Sequence, residues 1–112
     1  MSAQAWKADI LVATVALFAL STAPAFGADP KTLEQQGQQV FQDQGCYGCH
    51  TVGKTGTPIA TDLTTIGAKR NRAYLTRWLS DPASQRPTAH MPKLQLSEAE
   101  VTALAAYLSS LH

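Results

Sequence analysis

The apolar positions divide the chain into one unbroken apolar run near its start and three later stretches where apolar residues return every three or four positions. In the first stretch Leu33, Gly37, Val40 and Phe41 share a helical face. Asp29 followed by Pro30 is a helix-start signal, an N-cap aspartate with proline in the first turn, and Gly45 ends the stretch. In the second, Tyr74, Leu75, Trp78 and Leu79 line one side, with Asn71 placed to cap it and Asp81-Pro82 to stop it. The third opens with Ser97 and Glu100 at capping-box spacing. It continues through Val101, Leu104, Ala105, Leu108 and Leu111, with Tyr107 at its flank. The segments from Thr51 to Lys69 and from Asp81 to Gln95 read as loops, the first holding a helical turn around Leu63 to Ile66. Nothing between the helices alternates like a strand, so the expected fold class is all-α.

The apolar run from Ile10 to Leu20 has no helical periodicity. Trp6 and Lys7 precede it, and small residues and helix breakers follow from Ser21 to Ala28. Ala23 to Ala25 and Ala25 to Gly27 are candidate peptidase sites, so residues 1–28 have the order of a secretory signal peptide. The rival reading is a retained membrane anchor, but the run falls short of the roughly 20 apolar residues a bilayer demands. The expectation is therefore a signal peptide over 1–28, one domain over 29–112, and export to the periplasm, with membrane association only if the leader stays.

Composition narrows the function. A formal net charge of +1 over 112 residues implies neither a nucleic-acid partner nor a strongly anionic membrane. A domain this small has a marginal core, and such domains often rely on a disulfide, a metal or a cofactor. The two cysteines, Cys46 and Cys49, would close too short a loop for a disulfide to constrain much.

Their context gives them another purpose. Cys46, Cys49 and His50 form Cys-x-x-Cys-His, the attachment motif of c-type haem. The two thiols add across the vinyl groups of the macrocycle, and the adjacent imidazole is held beneath the iron as an axial ligand. A thioredoxin-like site would need a βαβ context, which the pattern lacks. A zinc site would need four ligands, and only His90 and His112 remain. The second axial ligand is expected to be Met91, the one methionine after the leader. It sits in a loop punctuated by Pro82, Pro87 and Pro92, where no helical face needs filling. His90 beside it is the alternative ligand, which would make the site bis-histidine.

These residues in this order resemble a class I monohaem cytochrome c. The resemblance rests on Cys46 to His50, Asp62, Leu63 and Gly67, Tyr74 with Trp78 and Leu79, Asp81-Pro82, Met91-Pro92, and Leu96 to Glu100 with Tyr107 and Leu108. It implies three to four helices wrapped around one covalently bound haem, with the first and last helices crossing. Gly37 would make room at that crossing while Phe41 and Tyr107 pack there. It also implies that a loop carbonyl orients His50, and that Trp78 and Tyr74 can reach a haem propionate. The chain departs from the family's common Gly-Pro-Asp-Leu, reading Ala60, Thr61, Asp62 and Leu63, which leaves the orienting carbonyl open.

With both axial positions filled, the iron would exchange electrons only, so the expectation is an electron carrier rather than an enzyme. Its partners would be redox proteins, a donor reductase and an acceptor oxidase or reductase. The cluster Lys69, Arg70, Arg72 and Arg77 is either a solvated face, a propionate contact or a docking site for an acidic partner. Two alternatives remain: a haem enzyme or gas sensor whose methionine leaves, and an electron-entry subunit of a larger oxidoreductase. The chain would be a monomer as a free carrier, or a subunit of a larger oxidoreductase.

Overall fold

The computed structural model describes residues 30–112. The expected signal peptide and the Asp29 cap therefore lie outside the described residues. The first periodic stretch forms α1, Pro30–Asp43. It closes where Gln44 N–H donates to the Val40 carbonyl at 2.9 Å and Gly45 turns left-handed at φ 72°. The second forms α3, Arg72–Ser80, capped as expected by Asn71, whose side chain accepts from Tyr74 N–H at 2.8 Å. The third forms α5, Glu98–Ser109. Its capping box is complete: Glu100 N–H donates to Ser97 Oγ at 3.1 Å and Ser97 N–H to the Glu100 carboxylate at 2.9 Å.

The loops hold more structure than their sequences suggest. A one-turn 3₁₀ coil spans Cys46–Gly48, and Thr51–Val52 (β1) pairs antiparallel with Thr55–Gly56 (β2). The expected turn around Leu63 to Ile66 is α2, Ile66–Lys69, beginning where the expectation ended. Asp81 is extended (φ −162°, ψ 97°) and stops α3, but Pro82 then begins another turn, α4, Pro82–Gln85. Proline preset for a first helical turn explains both events.

The core is built on α5. Ala103 through Leu108 are all buried, so this helix is enclosed on nearly every side rather than along one stripe. That enclosure corrects the placement of Tyr107, which is 7% exposed rather than flanking. α1 crosses α5 at Gly37, where a Cβ would overlap the Ala103 carbonyl and the Tyr107 Cβ. One helix turn later Phe41 (1% exposed) meets Tyr107 edge-on at 5.7 Å and Tyr47 at 4.7 Å. α3 adds Leu75 and Leu79 to the same cluster, and α2 is tied to the chain end by Gly67 N–H donating to the Leu111 carbonyl at 2.7 Å. Full burial of Phe41 or Leu104 is worth about 1.5–3 kcal/mol each. Among the described residues no helix is long and apolar enough to cross a membrane.

Candidate haem site

The coil after α1 gathers three of the sequence-identified residues. Gly48 N–H donates to the Gly45 carbonyl at 2.9 Å, and both Cys49 and His50 N–H turn back to the Cys46 carbonyl, at 3.2 and 3.0 Å. Tyr47, packed on Phe41, anchors the coil to the core. Cys46 is half-buried and Cys49 exposed, and no disulfide joins them. Burial pushes the Cys46 thiol above its ordinary range.

His50 is oriented by a backbone group that the sequence could not specify. Its Nδ1 lies 2.6 Å from the Thr61 carbonyl. A carbonyl only accepts, so Nδ1 carries the proton and Nε2 presents its lone pair for a metal. The loop that delivers this carbonyl is stitched to the coil on both sides. Ala60 N–H donates to the Cys49 carbonyl at 2.7 Å, Leu63 N–H to the Thr51 carbonyl at 2.8 Å, and Thr57 N–H to the Tyr47 carbonyl at 3.0 Å. Asp62 Oδ1 accepts from Thr64 N–H at 3.0 Å and from Thr64 Oγ1 at 2.5 Å, and Thr64 Oγ1 accepts from Gly53 N–H at 2.8 Å. Those Thr64 donors hold the Asp62 carboxyl below the usual carboxylate range, with Lys69 adding a smaller pull. The tight β1–β2 hairpin lets the loop close this near to the coil. Gly56, at φ 111°, sits where any Cβ would overlap the His50 carbonyl.

Met91 is half-buried between α4 and α5. Its Sδ accepts from Trp78 Nε1–H at 3.2 Å, which leaves a second lone pair on sulfur. Trp78 in turn stacks on Tyr74, with centroids 6.3 Å apart and planes 17° apart, and the Arg70 guanidinium lies 4.6 Å over the Tyr74 ring. His90 and His112 are exposed. Among the described residues no three His, Cys, Asp or Glu side chains are gathered as a metal cluster, which removes the basis for the zinc reading.

These residues fit a haem. Cys46, Val52, Leu63, Ile66, Tyr74, Met91 and Leu96 all pack on the core by one side while keeping part of their apolar surface outside it. Such faces suit a flat, apolar macrocycle, and an Nδ1-protonated imidazole and a thioether suit its iron. The sequence reading missed Thr61 and the Asp62–Thr64 clamp as site elements. The Asp-x-Thr spacing of a side-chain-capped turn was the one available signal.

An all-α fold closed by a glycine-spaced helix crossing, with an oriented histidine ending a Cys-x-x-Cys-His coil, defines a c-type haem protein. Residues 34–112 match the family model for cytochrome c, and the chain belongs to that family. Its cofactor is accordingly a covalently bound haem c, and Cys46, Cys49 and His50 supply the attachment motif. Cytochrome c oxidase subunit 2 of Alkalihalophilus pseudofirmus is 39% identical over 90 residues, covering 72% of this chain and 26% of that protein. The Bacillus subtilis protein of the same description is 31% identical over 96 residues, covering 70% and 26%. The chain thus spans about a quarter of the length of the curated relatives it matches.

Proposed function

We propose that this cytochrome c domain is a single-electron carrier whose haem iron is ligated by His50 and Met91. The observation that supports it most directly is the 2.6 Å contact between His50 Nδ1 and the Thr61 carbonyl, which leaves the Nε2 lone pair free for a metal. When bound, haem supplies a one-electron change between ferric and ferrous iron. Cys46 and Cys49 fix the macrocycle through thioethers. Thr61 and the clamped loop hold the imidazole against rotation, so the coordination changes little on reduction. Met91 would hold the iron through its thioether, which would favour ferrous iron more than a second imidazole would. With His50 and Met91 both held to the iron, no substrate would reach it. Trp78 and Tyr74 border the site from α3; the Tyr74 hydroxyl and the Trp78 N–H are the groups proposed to meet a propionate or the second ligand.

The setting proposed is the periplasmic side of a respiratory chain, reached through the leader over 1–28. A second reading is favoured by the oxidase relatives: the domain acts as an electron-entry module attached to a terminal oxidase, rather than diffusing between partners. Intact mass and a visible spectrum of protein from an exporting host test the common core of both. A mature chain that starts near Asp29 and carries one haem resistant to acid–acetone extraction is the expected result. Extractable haem, two free thiols, or fast carbon monoxide binding to reduced protein would overturn it. Co-purification with an oxidase separates the module from the free carrier.

A further inference from the structure

Three features stand outside the function so far: a shallow groove between α3, α5 and Lys93 to Leu96, the exposed side chain of Ile59, and the aromatic row along α3. Only the row connects to chemistry. Tyr74 and Trp78 are four residues apart on one face of α3, and Arg70, in extended backbone two residues before the helix, lies over the Tyr74 ring. The guanidinium lies over the Tyr74 ring, that ring stacks on Trp78, and Trp78 Nε1–H ends the line on Met91 Sδ. Each link is a recognised attraction: a cation over an aromatic face, an offset stack, and a hydrogen bond to sulfur. Arg70 and Met91 are therefore the two ends of one packed track from an exposed charge to a thioether.

We propose that the Arg70–Tyr74–Trp78 row is a clamp on Met91, with Arg70 a positioning residue that governs how firmly the thioether is held. The proposal rests on Met91 being an axial ligand. Thioether sulfur carries two lone pairs, so one can serve iron while the other accepts from Trp78. Trp78 restricts the sulfur to one orientation. Tyr74 fixes the indole plane, and Arg70 fixes Tyr74. It follows that an acidic partner drawing Arg70 away from Tyr74 would loosen the thioether at the moment of docking. The surface cluster and the axial ligand are then parts of one device.

The test is a double-mutant cycle on the haem-loaded protein, read by equilibrium binding of imidazole to the ferric form. Imidazole is an uncharged competitor that must displace the thioether, so surface charge does not bias it. Trp78→Phe keeps the ring and removes the N–H, and should tighten imidazole binding about fivefold while moving the methionine methyl signal in proton NMR. Arg70→Gln should tighten it about two- to threefold, and Arg70→Lys should restore wild-type affinity because an ammonium also sits over an aromatic face. In the Trp78→Phe background Arg70→Gln should add nothing, since its route to Met91 is cut. An Arg70→Gln effect of equal size in both backgrounds would overturn the clamp, as would none in either. A Trp78→Phe variant with unmoved methyl signal would assign the indole N–H to a propionate and also overturn it. Wild-type protein lacking any sulfur-to-iron signature would instead sink the Met91 ligation itself, a separate and recognisable failure.

Discussion

Thr61 contributes to the site through its backbone, and the chain around it shows how a backbone group is made specific. Nothing about a threonine side chain orients an imidazole; the hydrogen bonds of Ala60, Leu63 and Thr64 do, by leaving the carbonyl one direction to face. Asp62 is the keystone, and its lowered pKa fixes a pH dependence. The folded state holds this carboxyl ionised to lower pH than the unfolded chain does. Its contribution is fully present above the ordinary carboxylate range, near pH 4, and is lost as pH falls through the lowered folded value. Asp62→Asn should therefore shift the acid transition of the haem spectrum to higher pH, and an acid titration unchanged by that substitution would remove Asp62 from the clamp. Met91 supports a sharper test. A His–Met site predicts a weak near-infrared sulfur-to-iron band in the oxidised protein and a strongly upfield methyl signal in the reduced one. Met91→Ala should abolish both, open the iron to cyanide and lower the potential. Met91→His should stay low-spin at lower potential with haem still attached. If the wild-type protein lacks both signals, His90 becomes the leading ligand.

At the scale of elements, the crossing of α1 with α5 is the tightest joint. Gly37→Ala would drive a methyl into the Ala103 carbonyl, a backbone atom that cannot step aside. A loss of about 2–3 kcal/mol is expected in denaturant unfolding, with the spectrum of the folded fraction unchanged. A loss within 0.5 kcal/mol would mean the helices slide apart cheaply. Tyr107 at the same joint is pushed up to about 12, chiefly by burial, with Tyr47 adding to it. Its folded state keeps the phenol proton that the unfolded chain gives up near pH 10, so stability declines as pH rises from there toward 12. Tyr107→Phe should flatten that alkaline limb of a stability–pH curve. The three long helices were legible because caps and periodicity are local: Asn71, Ser97 and Glu100 bond within their own turns. The β1–β2 hairpin and the turn after Pro82 were not. Two-residue strands carry no hydrophobic period, and their pairing is dictated by the loop beyond them. The haem-attaching residues were legible as a motif, and the loop placement of Met91 through its prolines. The Trp78–Met91 hydrogen bond was not, because an indole N–H was expected to seek oxygen.

For the whole molecule, charge distribution decides how partners meet it. Lys69, Arg70, Arg72 and Arg77 are all exposed around the start and outer face of α3, on a chain whose formal net charge is only +1. If an acidic partner docks there, electron-transfer rates should fall as salt rises, since exposed charges are screened over about 8 Å at physiological ionic strength. Replacing Arg72 and Arg77 with Gln should remove most of that slope while leaving the potential unchanged. Rates indifferent to salt in both proteins would return the cluster to a solvated face. The same measurement made with an oxidase as acceptor bears on the module reading.

The helix crossing also governs when the molecule can exist. Gly37 waits for Ala103 and Tyr107, which belong to the last element made. A chain that stops short of α5 leaves Phe41, Leu75 and Leu79 without the residues that complete their core. Such a segment gains its packing only once α5 is present. Within the domain, compaction then arrives all at once, with α5 acting as the latch.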